Sequence, residues 1–360
     1  MIEYASDEIT GKYLACVQAQ SIGLAKGLKV AYSPLNGTGY KLVPEILHRA
    51  GVAQIDVVEE QAYPNGNFTT CPYPNPEKPD ALKLGIALAE KCGSDILIAT
   101  DPDADRVGTA VRHNGEYLLL TGNEVGVLLT DYILRQRKAK GTLPKRPVIA
   151  TTIVSTGLAE RVAKEYGVTF YNVLTGFKYI GGVIGKLEKT GETERFVLGF
   201  EESYGYLTGS YVRDKDAVVC SMLVAEMTAY HLQHGKTLVD RIQEIYAQFG
   251  TYEHKLKSYE YPGAEGNAKM KKLLTDLRAN LPTELCGSRI VKTVDYLTQK
   301  EVDLPKSNVL LFEAENGSKL VVRPSGTEPL IKVYLTAAST PEENKIILQK
   351  MIEYADTILR

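Results

Sequence analysis

Asp95-Ile-Leu-Ile-Ala-Thr-Asp-Pro-Asp-Ala-Asp-Arg106 decides the fold of this chain. The apolar run reads as a buried strand, and it empties directly into an acidic loop. Ends of strands in α/β folds are where ligands are usually held. Asp101, Asp103 and Asp105 place three carboxylates at alternate positions, and such groups repel one another unless a cation lies among them. Hard oxygen donors of this kind suit Mg²⁺, and Arg106 can orient a carboxylate or pair with a phosphate. An EF-hand loop beginning at Asp101 would need Gly at its sixth place and Glu at its twelfth. Arg106 and Arg112 stand there, so that reading fails.

Outward from this loop the pattern alternates. Leu28–Ser33 reads as a strand, Tyr40–Gly51 as a helix and Ile55–Glu60 as a second strand. A long Pro-, Gly- and Asn-containing loop follows, then a helix near 77–92. Residues 107–120 read as a hairpin turning at Asn114-Gly115, and a helix after Gly122 ends in a basic run at Gly141. Residues 141–250 repeat the scheme, with Arg195–Phe200 as the strand that empties into Glu201-Glu-Ser-Tyr-Gly-Tyr206. A loop is expected at 174–182, and two long helices near 216–234 and 237–248. From Thr251 the texture changes to a helix around 265–281, a hairpin at 308–325, another strand and a last helix. The expectation is an α/β fold: two related three-layer α/β domains with mixed sheets (23–140 and 141–250), then a smaller α+β domain (251–360). A helix within residues 1–22 precedes them.

Length and composition agree, since 360 residues suggest two or three domains at roughly 150 residues each. The formal net charge of −2 provides no global basic field for nucleic acid or an anionic membrane. An anionic substrate would depend on local Lys and Arg side chains. The five cysteines, Cys16, Cys71, Cys92, Cys220 and Cys286, form no C-x-x-C pair, which speaks against a disulfide framework or zinc site. No signal peptide is expected at Met1–Thr10 and no stretch is apolar enough to span a membrane, so a cytoplasmic setting is expected.

Further loops carry chemistry. Glu201, Glu202 and Ser203 lie just beyond a strand, and a carboxylate there can accept from two neighbouring hydroxyls at once, a natural grip on a sugar. Arg323-Pro-Ser-Gly-Thr327 combines a guanidinium fork, two hydroxyls and a glycine in one turn, a set that matches a phosphate. Thr175-Gly-Phe-Lys178 and Arg213-Asp-Lys-Asp216 each set a lysine in a loop of the middle domain. Ser33–Gly39 lacks the Gly-Lys-[Ser/Thr] ending of a nucleotide loop and reads as a strand-to-helix turn. Asp103-Ala-Asp105-Arg-Val107 is also similar to the D-x-D-x-[TV] signature of haloacid-dehalogenase-type phosphatases, which usually sits on the first strand rather than after a complete α/β unit.

Together and in this order, the motifs resemble those of the α-D-phosphohexomutases, the phosphoglucomutase/phosphomannomutase family, along essentially the whole chain. The resemblance implies Mg²⁺ on Asp101, Asp103 and Asp105, with Arg106 and Lys215 as catalytic residues. It implies substrate contacts from Thr175, Gly176, Lys178, Glu201, Ser203 and Lys215, and a phosphate grip from Arg323, Ser325, Gly326 and Thr327. The implied activity interconverts 1-phospho and 6-phospho sugars through a phosphoserine and a bisphosphate such as glucose 1,6-bisphosphate. The E-E-S loop looks like the glucose-directed branch, with a pentose phosphate as the alternative.

One motif of the family has no counterpart. Its phosphoserine lies in a T-[AG]-S-H-N-P loop, and the residues before the five histidines here are Leu47, Arg112, Tyr230, Gln233 and Glu253. Residues 1–22 resemble the helix that joins the serine-bearing N-terminal domain to the next one. The expectation is therefore a chain without that domain, its intramolecular partner, and inactive alone. The rival readings are a haloacid-dehalogenase-type sugar phosphatase and a sugar-phosphate-binding fragment without catalysis.

Overall fold

The computed structural model describes residues 6–299, 304–326 and 328–359. Helix α1 (Asp7–Gln18) starts where Ser6 Oγ accepts the Ile9 N–H, with Asp7 and Glu8 favourably placed in the first turn. The first sheet comprises β1 (Lys29–Ser33), β2 (Gln54–Val57), β3 (Ile96–Thr100), β4 (Val107–His113) and β5 (Glu116–Leu120). Helices α2 (Gly39–Arg49) and α3 (Pro79–Cys92) connect the parallel strands. The order is β2-β1-β3-β4-β5, with β1 parallel to β2 and β3 and the β4–β5 hairpin antiparallel. Asn114 and Gly115 both take positive φ at the hairpin turn, as the primed turns require. Every residue of β3 is buried, so its end is held rigidly.

Helix α4 (Gly122–Ala139), opened by a Thr121/Glu124 capping box, leads to the second sheet. Its strands are β6 (Val148–Thr152), β7 (Thr169–Val173), β8 (Phe196–Phe200) and β9 (Tyr206–Leu207), with α5 (Leu158–Lys164) and α6 (Phe177–Lys189) between. The order is β7-β6-β8-β9, parallel except for β9. Helices α7 (Ala217–Gln233) and α8 (Leu238–Phe249) follow. Nearly all of α7 is buried, and it packs against α2, β3 and β4. A helix apolar on every side needs such double cover. Both sheets thus lie in one compact unit, residues 1–155 and 159–245.

Residues 156–158 and 246–360 form the other unit. It holds β10 (Thr251–Glu260), α9 (Gly263–Ala279), β11 (Glu284–Leu285), β12 (Ser288–Asp295), β13 (Leu310–Ala314), β14 (Lys319–Pro324), β15 (Leu330–Ser339) and α10 (Pro341–Leu359). The antiparallel sheet runs β10-β15-β14-β13-β12-β11 and buries Phe312, Leu320 and Val333 with Leu274 of α9 and Met351 of α10. The fold class is α/β with mixed sheets and a smaller C-terminal α+β portion.

Three local expectations need correction. The loop expected at 174–182 ends early, because α6 begins at Phe177. Its glycines read as turn residues, yet a Cβ on Gly181 would meet the Arg213 carbonyl oxygen at 2.6 Å, so that glycine serves helix packing. The strand expected at 55–60 stops at Val57 and becomes a 3₁₀ turn. Strand β12 went unforeseen, since a register shift between Ile290 and Lys292 interrupts its alternation.

Candidate active site

Asp101 directly follows β3 and is 8% exposed. Its Oδ1 accepts the backbone N–H groups of Asp105 at 3.0 Å and Arg106 at 2.9 Å, which curls the loop around the carboxylate. Ala104 takes a left-handed φ of 55° to complete that curl, a cost accepted where surrounding structure enforces it. A Cβ on Gly37 would lie 2.4 Å from Pro102 Cα, so only glycine lets the β1–α2 loop approach. From there Thr38 donates its N–H at 2.8 Å and its hydroxyl at 3.1 Å to the Pro102 carbonyl. The strand-to-helix turn at 33–39 is therefore a brace for the acidic loop, a role its sequence did not announce.

One ligand oxygen from each of Asp101, Asp103 and Asp105 falls within 4.8 Å of the others. Asp105 Oδ1 is buried without a hydrogen-bond partner, and Arg106 Nε lies 3.8 Å from it. An orphaned buried carboxylate oxygen beside two more carboxylates fits a hard divalent cation. Burial pushes the Asp101 carboxyl up to about 7, against the N–H donated by Arg106 and with added repulsion from Asp105 and Asp103.

The second acidic loop repeats this construction. Glu201 directly follows β8, is 6% exposed, and accepts the Gly176 N–H on Oε1 at 3.0 Å. Three residues on, Tyr204 takes a left-handed φ of 66°. Burial, then the neighbouring Glu202, pushes the Glu201 carboxyl up to about 7. Glu202 turns the other way and accepts hydroxyls from Thr152 at 3.0 Å and Ser155 at 3.3 Å. Burial raises its carboxyl too.

The two loops are stitched together. Arg106 bridges Gly205 in antiparallel fashion, the Val107 N–H donates to the Tyr204 carbonyl at 3.0 Å, and the Ala217 N–H donates to the Ala104 carbonyl at 3.1 Å. Lys215 extends its ammonium to Asp105 Oδ2 at 2.5 Å. Burial alone would lower the Lys215 pKa, but the hydrogen bond and charge of Asp105 hold it raised. The adjoining Asp216 caps α7 through the Val218 and Val219 N–H groups. It also accepts the Tyr13 hydroxyl at 2.8 Å and the Tyr211 hydroxyl at 2.6 Å.

Arg106 pairs with Glu77 at 2.9 Å and approaches Asp101 at 3.6 Å. Glu77 and Asp216 were not singled out from the sequence. Glu77 sits in a Pro-rich loop where nothing signals a partner, whereas Asp216 precedes a long apolar helix as an N-cap should. Thr175 Oγ1 is buried without a partner beside Gly176. Ser203 is half-buried, and Lys178 is exposed with its ammonium 5.0 Å from the Tyr179 ring centroid. Asp101, Asp103, Asp105, Arg106, Gly176, Glu201 and Lys215 are thus brought together by direct contacts or shared loops.

Arg323, Ser325 and Gly326 lie in the second unit, where β14 turns into β15. Arg323 Nη1 donates to the Tyr334 hydroxyl at 3.4 Å, and Ser325 Oγ accepts the Glu328 N–H at 3.2 Å. Gly326 is exposed. Thr327 lies outside the described residues.

Comparison with known proteins follows the same division. Residues 10–115 match phosphoglucomutase/phosphomannomutase α/β/α domain II, residues 121–249 match α/β/α domain III, and residues 268–353 match the C-terminal domain. A phosphoglucomutase of Staphylococcus epidermidis is 36% identical over 335 residues, covering 90% of this chain and 60% of that protein. The chain thus spans about 60% of the length of such curated relatives. Among solved structures, a phosphoglucomutase (parafusin) from Paramecium in an open form matches with a TM-score of 0.70 at 18% identity, covering 96% of this chain and 62% of that one. A phosphoglucomutase/phosphomannomutase family protein of Burkholderia thailandensis matches with a TM-score of 0.69 at 18% identity, over 97% and 64%. The three domain matches in sequence, with the fold likeness behind them, make this chain a member of the phosphoglucomutase/phosphomannomutase family.

Proposed function

We propose that this chain supplies the metal-, sugar- and phosphate-binding parts of a phosphohexomutase that interconverts 1-phospho and 6-phospho sugars, glucose foremost. The observation that carries the reading is the meeting of two acidic strand-end loops with Lys215 and the Gly176 amide in one unit. Mg²⁺ on Asp101, Asp103 and Asp105 would offset charge on a transferring phosphoryl group. Arg106, held by Glu77, keeps the aspartate loop in shape and faces the same group. Glu201, its Oε1 fixed by Gly176, and Ser203 accept and donate to sugar hydroxyls. Lys178 and Thr175 flank that subsite. Lys215 is the acid/base candidate, because its ammonium lies between the two loops. Arg323, Ser325, Gly326 and Thr327 grip the phosphate that does not react.

No serine in the sequence is followed by His-Asn-Pro. We therefore assign the phosphoryl-carrying serine to a module outside these 360 residues, and glucose 1,6-bisphosphate to the role of intermediate. An A. fumigatus N-acetylphosphoglucosamine mutase of the same fold has been solved with glucose 1,6-bisphosphate, at 15% identity and a TM-score of 0.53. Among the described residues no helix is long and apolar enough to cross a membrane. The scattered free thiols suit a reducing compartment, and on that ground we place the protein in the cytoplasm. Calorimetric titration with glucose 6-phosphate tests the phosphate assignment. Arg323→Ala should weaken binding by about 1.5–3 kcal/mol, the scale of a hydrogen bond to a charged group. Equal affinity would return the loop to a purely structural role.

A further inference from the structure

Lys215 does more in this geometry than face a substrate. Its ammonium lies 2.5 Å from Oδ2 of Asp105, in a pair whose side chains are only 15% and 24% exposed. Three features hold it there. A Cβ on Gly205 would meet Lys215 Cδ at 2.5 Å, so the stem of the lysine runs along a surface that only glycine leaves open. The next residue, Asp216, is fixed as the cap of α7 and by the hydroxyls of Tyr13 and Tyr211. The first residue of α7, Ala217, is hydrogen-bonded to Ala104 in the middle of the aspartate loop. Loop and lysine are thus parts of one braced assembly.

We propose that Lys215 is the internal counter-ion of the aspartate triad and competes with a divalent cation for Asp105. The inference rests on the metal reading above. One oxygen of Asp105 is taken by the ammonium, and the other is buried without a hydrogen bond and has the Arg106 guanidinium 3.8 Å away, so the same carboxylate can serve two cations in turn. With a divalent ion held by the triad, the Lys215 ammonium would face added positive charge and its hold on Oδ2 would weaken. Asp214, whose side chain is 71% exposed and lies 3.5 Å from Lys215 Nζ, is a ready acceptor for the displaced lysine. Cation binding and release of Lys215 toward an anionic ligand become one event, and the cation affinity is set lower than three carboxylates alone would give. Nothing is transferred covalently; one ion pair is exchanged for another.

The test is Mn²⁺ binding to the whole chain, read from the electron paramagnetic resonance signal of free Mn²⁺ at one pH and ionic strength. Circular dichroism confirms that each variant is folded. Lys215→Gln should tighten Mn²⁺ binding about tenfold, because a unit charge a few ångströms from a divalent ion is removed from a partly screened site. Lys215→Arg, which keeps the charge, should stay within about threefold of the parent. In an Asp105→Asn background the Lys215→Gln change should have under about a third of its effect, since the contested carboxylate is gone. Asp103→Asn, expected to bind Mn²⁺ about tenfold more weakly, separates the two readings. If that variant binds Mn²⁺ as the parent does, the triad is not the metal site and both readings fall. If the triad binds but Lys215→Gln leaves affinity unchanged or weaker, the counter-ion role alone is overturned.

Discussion

The two strand-end loops of the first unit are built to one plan and filled with different chemistry. In each, a carboxylate directly follows the third strand of its module: Asp101 after β3 and Glu201 after β8. In each, the residue three places on is left-handed, Ala104 or Tyr204, and the carboxyl is pushed up to about 7 by burial. The fillings then diverge. The first loop adds Asp103 and Asp105 and takes two backbone N–H groups on Asp101, whereas the second adds Glu202 and Ser203 and fixes Glu201 through Gly176. The difference teaches that position is set by the fold, while two or three residues decide which charges and donors a loop presents.

The proposed reading puts the phosphoryl-carrying serine outside both loops, and that gives the largest expected effect. The purified 360-residue polypeptide, given Mg²⁺ and glucose 1,6-bisphosphate, should not convert glucose 1-phosphate to glucose 6-phosphate in a coupled dehydrogenase assay. Turnover that disappears in Ser203→Ala would break the comparison, because the sugar loop would then hold a nucleophile.

Next in size is the response of stability to pH. Glu201 is buried and its folded pKa of about 7 exceeds its ordinary value of 4.5. Below pH 4.5 it is protonated in both the folded and unfolded states. Between 4.5 and about 7 only the unfolded state ionises, so the stability it contributes is lost as pH rises, by about 3 kcal/mol in all. Urea unfolding should therefore show a larger loss of stability between pH 5 and pH 8 in the parent than in Glu201→Gln, where Asp101, likewise pushed up to about 7, still contributes its own loss. An identical slope in both would mean that the carboxyl is not held in its neutral form.

Asp103 sharpens the contrast between the loops. It is the exposed member of the triad, so Asp103→Asn should change unfolding stability by under about 0.5 kcal/mol. Calorimetry should nevertheless find Mg²⁺ binding about tenfold weaker, as one of three hard oxygen donors is lost. Glu201→Gln, in the twin loop, should leave that affinity within about twofold. Equal losses in both variants would dissolve the distinction between a cation loop and a sugar loop.

Much of this arrangement is legible in the sequence for a physical reason: a buried parallel strand ending in charge has few other interpretations. The run Ile96–Ala99 followed by Asp101, and Phe196–Phe200 followed by Glu201, mark both loops without coordinates. What stays hidden is what the loops rest upon. Gly37 looks like any turn glycine until Pro102 is found against it, and Glu77 like any loop acid until Arg106 is found on it. Both partnerships join residues far apart in the chain, and no local pattern encodes them. Strand β12 was obscured by its own bulge, and the start of α6 by a run of glycines of which Gly181 serves packing.

The claim that these loops hold a phosphosugar is tested most directly by titrating glucose 1,6-bisphosphate into the parent and into Glu201→Gln at pH 8, where Glu201 is ionised. Inorganic phosphate serves as a second ligand with no sugar hydroxyls. The account predicts that the variant binds the bisphosphate about tenfold more weakly, the loss of a charge-assisted hydrogen bond, and binds phosphate as the parent does. Equal bisphosphate affinity in the two proteins would contradict it, and the second loop would then be a support for the first rather than a sugar site.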